Sequence, residues 1–156
     1  MEERAGAAAG ARGGSTALRS ASALCWFDGL AFGLPAVPVV VFLAREGRPP
    51  VFLDLFPVYS GGPFEALGGP VFSTLLIVFA VVCAAEVMAG WLLWKRRWAG
   101  GVLGLALVPV GAIFWVGFAL PGPVIIAVIR TALLLRGWPR LVRVRRQRHE
   151  HHEGPV

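Results

Sequence analysis

Three ionisable side chains stand inside apolar runs of this sequence: Asp28 in "CWFDGL", Glu86 in "CAAEVM" and Arg130 in "VIRTA". A lone charge near the centre of a bilayer costs roughly 2.5–3.5 kcal/mol on insertion scales. Mutual pairing offsets that cost, so the three are expected to face one another as an intramembrane charge cluster. A guanidinium keeps its proton under all ordinary conditions. Two carboxylates against one guanidinium leave one negative charge over, which a proton on either acid would neutralise. A proton-coupled carrier or channel could use that chemistry. The simpler reading is an ion-pair network that fixes the helices and does nothing else.

Other reactive residue types lead nowhere comparable. Cys25 and Cys83 each precede an acid by three residues. On antiparallel helices, however, they fall about 10 Å apart in depth, too far for a disulfide. They read as small packed hydrophobes. His149, His151 and His152 sit in a polar terminal tail without partner ligands, and no metal is expected there. There is no nucleophile–base pair, phosphate-binding loop, haem motif or metal cluster. The chain therefore reads as a non-enzyme without a cofactor.

The elements that position the trio follow from hydropathy. The 156 residues are 56% hydrophobic, against about 45–50% for a soluble domain. Residues 71–94 carry a single charge, Glu86, and residues 98–120 carry none. Each run is near the roughly 20 residues that cross a bilayer as helix. An all-α, polytopic integral membrane protein is expected, a four-helix transmembrane bundle with spans at about 21–44, 71–94, 98–120 and 122–137. Residues 1–19, rich in Ala, Gly, Ser and Arg, read as a disordered tail. The run 21–44 is too long for a signal-peptide core, and Asp28 interrupts it. One transmembrane domain, 20–138, then leads into a basic tail, 139–156.

The segment 45–70 is too rich in Pro and Gly to span. Phe52, Leu53, Phe56 and Tyr59 suit an interfacial loop on the outer side, packed on the end of the bundle. Within it "GGPFEALGG" reads as a one-turn helix, with Pro63 at its start and Gly68 just past its end. By depth, Asp28 and Arg130 lie about 10 Å and Glu86 about 12 Å from the same edge.

Orientation follows from the basic residues. Arg4, Arg12, Arg19, Lys95, Arg96, Arg97, Arg136, Arg140, Arg143, Arg145, Arg146 and Arg148 fall on the side of the termini, against Arg45 and Arg48 on the other. The positive-inside rule puts both termini in the cytoplasm of a multi-pass cell-membrane protein. Trp91, Trp94, Trp98 and Trp138 fall at the same interface, where indoles prefer to sit. The net charge of +6 is thus a topology signal and not a nucleic-acid surface. Lys95, Arg96, Arg97, Arg140, Arg143, Arg145, Arg146 and Arg148 are placed to meet anionic lipid headgroups.

Helix packing is expected at Gly29, Gly33, Gly90, Gly100 and Gly104, where small residues let backbones approach. Pro35, Pro38 and Pro109 should kink their helices, and they could line a cavity. The stretch "EVMAGWLLWKRRWAGGVLGLAL", residues 86–107, resembles part of the DoxX-like group of small four-helix membrane proteins, through Glu86, Gly90, Arg97 and Gly100. The first span carries "DGLAFGLPAVP" where that group has a Gly-x-x-Lys element. The resemblance implies a bundle fold and an accessory role, in part beside quinone-linked redox enzymes. The function expected is that of an accessory or assembly subunit in the bilayer, with another membrane protein or further copies of itself as partners. The alternatives are the proton-linked carrier and a component of a membrane oxidoreductase.

Overall fold

The computed structural model describes residues 2–47, 51–52, 56–57, 59, 62–120 and 122–150, with side chains described over 14–47, 59, 62–120 and 122–143. Four helices make up nearly all of this: α1 (Glu2–Glu46), α2 (Gly69–Trp94), α3 (Trp98–Gly117) and α4 (Gly122–Glu150). Between α1 and α2 lie β1 (Val51–Phe52) and β2 (Phe56–Pro57), an antiparallel pair with Phe52 opposite Phe56, and then a 3-10 helix, Pro63–Leu67. Three stretches are long and apolar enough to cross a membrane: Gly14–Glu46, Gly69–Trp94 and Trp98–Gly117. The basic second half of α4 keeps it out of that set.

Helix ends form where local chemistry stops the ladder. Gly47, at φ 68°, donates its N–H to the Leu43 carbonyl and closes α1, the usual use of glycine just past a helix. Pro63 opens the 3-10 helix and Gly68, at φ 88°, separates it from α2. Arg96 and Ala119 take left-handed conformations after α2 and α3, at φ 52° each, without the help of glycine. Both ends close with a six-to-one hydrogen bond, Arg97 N–H to Leu92 and Leu120 N–H to Trp115.

Each helix packs on two others: α1 on α2 and α4, and α3 on α2 and α4. The buried residues fall into two apolar groups. One gathers Ala36, Leu43, Tyr59, Phe72, Phe79, Phe114 and Phe118 at the hairpin end. The other gathers Leu18, Ala21, Cys25, Leu93, Leu134 and Leu141 at the end of the termini. Tyr59 ties the inter-helix segment to the first group. Its ring meets Phe79 and Phe118 edge-on, each at 5.9 Å, and its hydroxyl donates to the Phe32 carbonyl. Phe64 of the 3-10 helix stands 5.2 Å from Phe118.

Several boundaries differ from those expected. Residues 2–19 belong to α1, which begins at Glu2. Alanine favours helix, and Ala17 and Leu18 are buried, with Leu18 against Gly137 of α4. Past residue 138 the chain continues as helix through Pro139 to Glu150, held by Leu141, which packs against Gly101. Helix α3 stops at Gly117 and not at residue 120, so the turn before α4 begins earlier. Pro35 and Pro38 inside α1 and Pro109 inside α3 are exposed. Tyr59 is buried against Phe79 and Phe118. The side chains of Phe52, Leu53 and Phe56 lie outside the described residues.

Candidate functional site

The seam between α1 and α2 is built from small residues. A methyl on Gly29 would stand 2.5 Å from the Cys83 carbonyl oxygen, and one on Gly33 would stand 2.7 Å from Cys83 Cβ. From the other helix, Gly90 meets Trp26 and Cys25 in the same way, at 2.6 Å and 3.0 Å. Backbones this close leave no room for a larger side chain. Each cysteine therefore packs on a glycine of the opposing helix, and both are buried free thiols. Gly100 repeats the pattern between α3 and α2, where a methyl would stand 2.6 Å from the Leu93 nitrogen, and a methyl on Gly104 would stand 3.4 Å from Leu134.

The seam sets Asp28 and Glu86 opposite each other, and α4 brings in Arg130. Arg130 Nη1 donates to Glu86 Oε1 at 3.0 Å and stands 3.7 Å from Asp28 Oδ2. The three are closed from solvent, with Asp28 2% exposed, Glu86 3% and Arg130 0%. They lie between the two apolar groups, which contribute Cys83 from one side and Cys25 from the other. Not every polar atom finds a partner. Both Asp28 oxygens, Arg130 Nε and Nη2 and Thr131 Oγ1 are buried without a hydrogen bond. Buried polar groups are almost always paired, so these atoms mark where the site has capacity to spare. Arg130 delivers one good charge-assisted bond, and Asp28 sits beyond hydrogen-bond length from it.

Two side chains outside the trio hold the seam, and charge reasoning misses both. The Ser22 hydroxyl donates to the Gly90 carbonyl at 2.5 Å. The Trp26 indole N–H donates to the Val87 carbonyl at 3.2 Å while its ring stacks on Trp94. Ser22 shares one face of α1 with residues 18, 25, 29, 33 and 36, which recur at helical spacing.

The basic residues fall into two sets. Lys95, Arg96, Arg97 and Arg143 are exposed and Arg140 is half-buried, lying against Gly14 of α1. Arg19 stands over the Trp94 ring at 5.7 Å and Lys95 over Trp91 at 5.6 Å. The side chains of Arg145, Arg146, Arg148 and His149, and residues His151 and His152, lie outside the described residues. No family model matches this chain, and no curated protein or solved structure matches it either.

Proposed function

We propose that this chain is a four-span membrane protein, with both termini in the cytoplasm of the cell membrane, that serves as an accessory or assembly subunit and carries no catalytic machinery. Its fourth span would be the apolar half of α4. In support, Ile125, Val128, Ile129 and Leu135 are exposed around that helix while Arg130 is turned inward. Such a face suits lipid, with the one charge hidden. Positive-inside bias supports the orientation, and exposed Lys95, Arg96 and Arg97 beside Trp91 and Trp94 support contact with anionic headgroups.

The observation that carries the accessory reading is the closure of the charged trio. Asp28, Glu86 and Arg130 sit between two apolar groups at 0–3% exposure, where they can fix the helices but meet no substrate from outside. Affinity capture of the protein from detergent-solubilised membranes should recover a defined membrane-protein partner or a homo-oligomer. A purely monomeric protein without partner would sink this reading.

A second reading, the proton-linked carrier, is favoured by the unpartnered atoms of Asp28 and Arg130. Proton flux into proteoliposomes decides it, since a leak no greater than that of empty vesicles would exclude it. The DoxX-like resemblance over residues 86–107 adds a third, an oxidoreductase component. That reading would need a quinone or flavin to copurify.

A further inference from the structure

Two carboxyls and one guanidinium meet at the buried cluster, and their charges do not balance. Arg130 gives its hydrogen bond to Glu86. Neither oxygen of Asp28 receives one. The carboxyl of Glu86 is its neighbour, since Glu86 Oε1 and Asp28 Oδ2 stand 3.0 Å and 3.7 Å from the same nitrogen, Arg130 Nη1. Ionised carboxylates only accept. Two of them side by side repel, and with a single guanidinium they would leave one uncompensated negative charge in a region closed from water. That arrangement is costly and leaves Asp28 unsatisfied.

One proton changes every term. It turns the contact between acceptors into an O–H···O hydrogen bond, satisfies an Asp28 oxygen and makes the trio neutral. We propose that Asp28 and Glu86 form a carboxyl pair holding one proton between them, a single-proton binding site at the centre of the molecule. Glu86 accepts from Arg130 and is the better-satisfied anion, so the proton resides chiefly on Asp28. The other charged or titratable groups facing the pair are few. Cys25 comes from α1, Cys83 from α2 and Arg130 from α4. Helix α3 offers none, since residues 98–117 contain no ionisable side chain. Among the described residues no second cation faces the pair to take the proton's place. The shared proton demands nothing of the accessory or the carrier reading and is compatible with either.

Infrared absorption of the intact, folded protein at neutral pH tests this. The other seven of the nine acids lie outside the runs 21–44, 71–94, 98–120 and 122–137. The proposal requires a protonated-carboxyl C=O band, with the intensity of one group per chain, that moves on exchange into heavy water. Asp28→Asn should lose the band while keeping the fold, because its amide supplies the donor that the proton supplied. A folded wild-type protein without the band overturns the proposal, and so does a band of unchanged intensity in Asp28→Asn. Should Asp28→Asn fail to fold, the wild-type spectrum decides alone. An ordered water in place of the proton would give no band and count as refutation.

Discussion

Arg130 is the residue on which the buried charges depend. Removing it alone strands two acids in a closed interior, whereas removing all three charges strands none. Breaking a buried pair costs about 3–5 kcal/mol, and replacing the whole set by neutral groups is often close to neutral. Arg130→Leu should therefore unfold at a lower temperature in detergent than the triple variant Asp28→Asn, Glu86→Gln, Arg130→Leu. The opposite order would mean that the three do not act as one network. This part of the site was legible in the sequence, because a charge inside an apolar run has few ways to be satisfied. Ser22 was not, since a serine in a helix usually bonds its own backbone. Tyr59 was not either, because its partners Phe32, Phe79 and Phe118 are distant in sequence. Burial pushes the Tyr59 phenol up from its ordinary value, with the nearby Cys83 thiol acting in the same sense. The neutral phenol thus contributes stability below pH about 10, where it is un-ionised in either state. That contribution is lost as pH rises further. Tyr59→Phe should flatten the alkaline fall in melting temperature while costing about 0.5–1.5 kcal/mol at neutral pH for the lost hydrogen bond. An equally steep fall in the variant would refute the assignment.

Among the elements, the α1–α2 seam is a close contact, and a side chain added at Gly29, Gly33 or Gly90 has no free room. Gly29→Val would force its side chain against the Cys83 carbonyl and Val87. Overpacking of this kind costs about 1–3 kcal/mol, and it should also push Asp28 away from Arg130. Thermal unfolding measures the first effect. An unchanged melting temperature would show that the helices can part without penalty. The ends of the 3-10 helix were legible from Pro63 and Gly68, because these residues constrain the backbone directly. The end of α3 was not, because Ala119 adopts a left-handed conformation that its type does not announce. The inward faces were also hard to read. Helices that are apolar all round carry no amphipathic signal, so the small residues at 25, 29, 33, 83 and 90 were the guide to burial. The burial of Ala17 and Leu18, with Leu18 beside Gly137 of α4, was not legible either, since composition alone does not reveal a docking partner.

At the scale of the molecule, a polar layer divides two apolar groups, and the positive charges gather at the end of the termini. A C-terminal fusion to a reporter active only outside the cytoplasm should stay dark, and a bright fusion would invert the proposed orientation. The membrane-like character of α1, α2 and α3 was plain from hydropathy, whereas α4 was ambiguous because Arg130 and the basic run dilute its apolar half. The placing of Arg130 on the last helix also bears on how the molecule is made. Asp28 and Glu86 leave the ribosome long before the cation that neutralises them. A chain stopped after residue 121 would hold both acids with no guanidinium to receive them. The nascent protein is then incomplete in a chemically recognisable way until its final helix arrives. Chains truncated at that point should be cleared by quality-control proteases faster than the full protein, as pulse-chase labelling would measure. Equal half-lives would show that the first three helices need no help from the fourth.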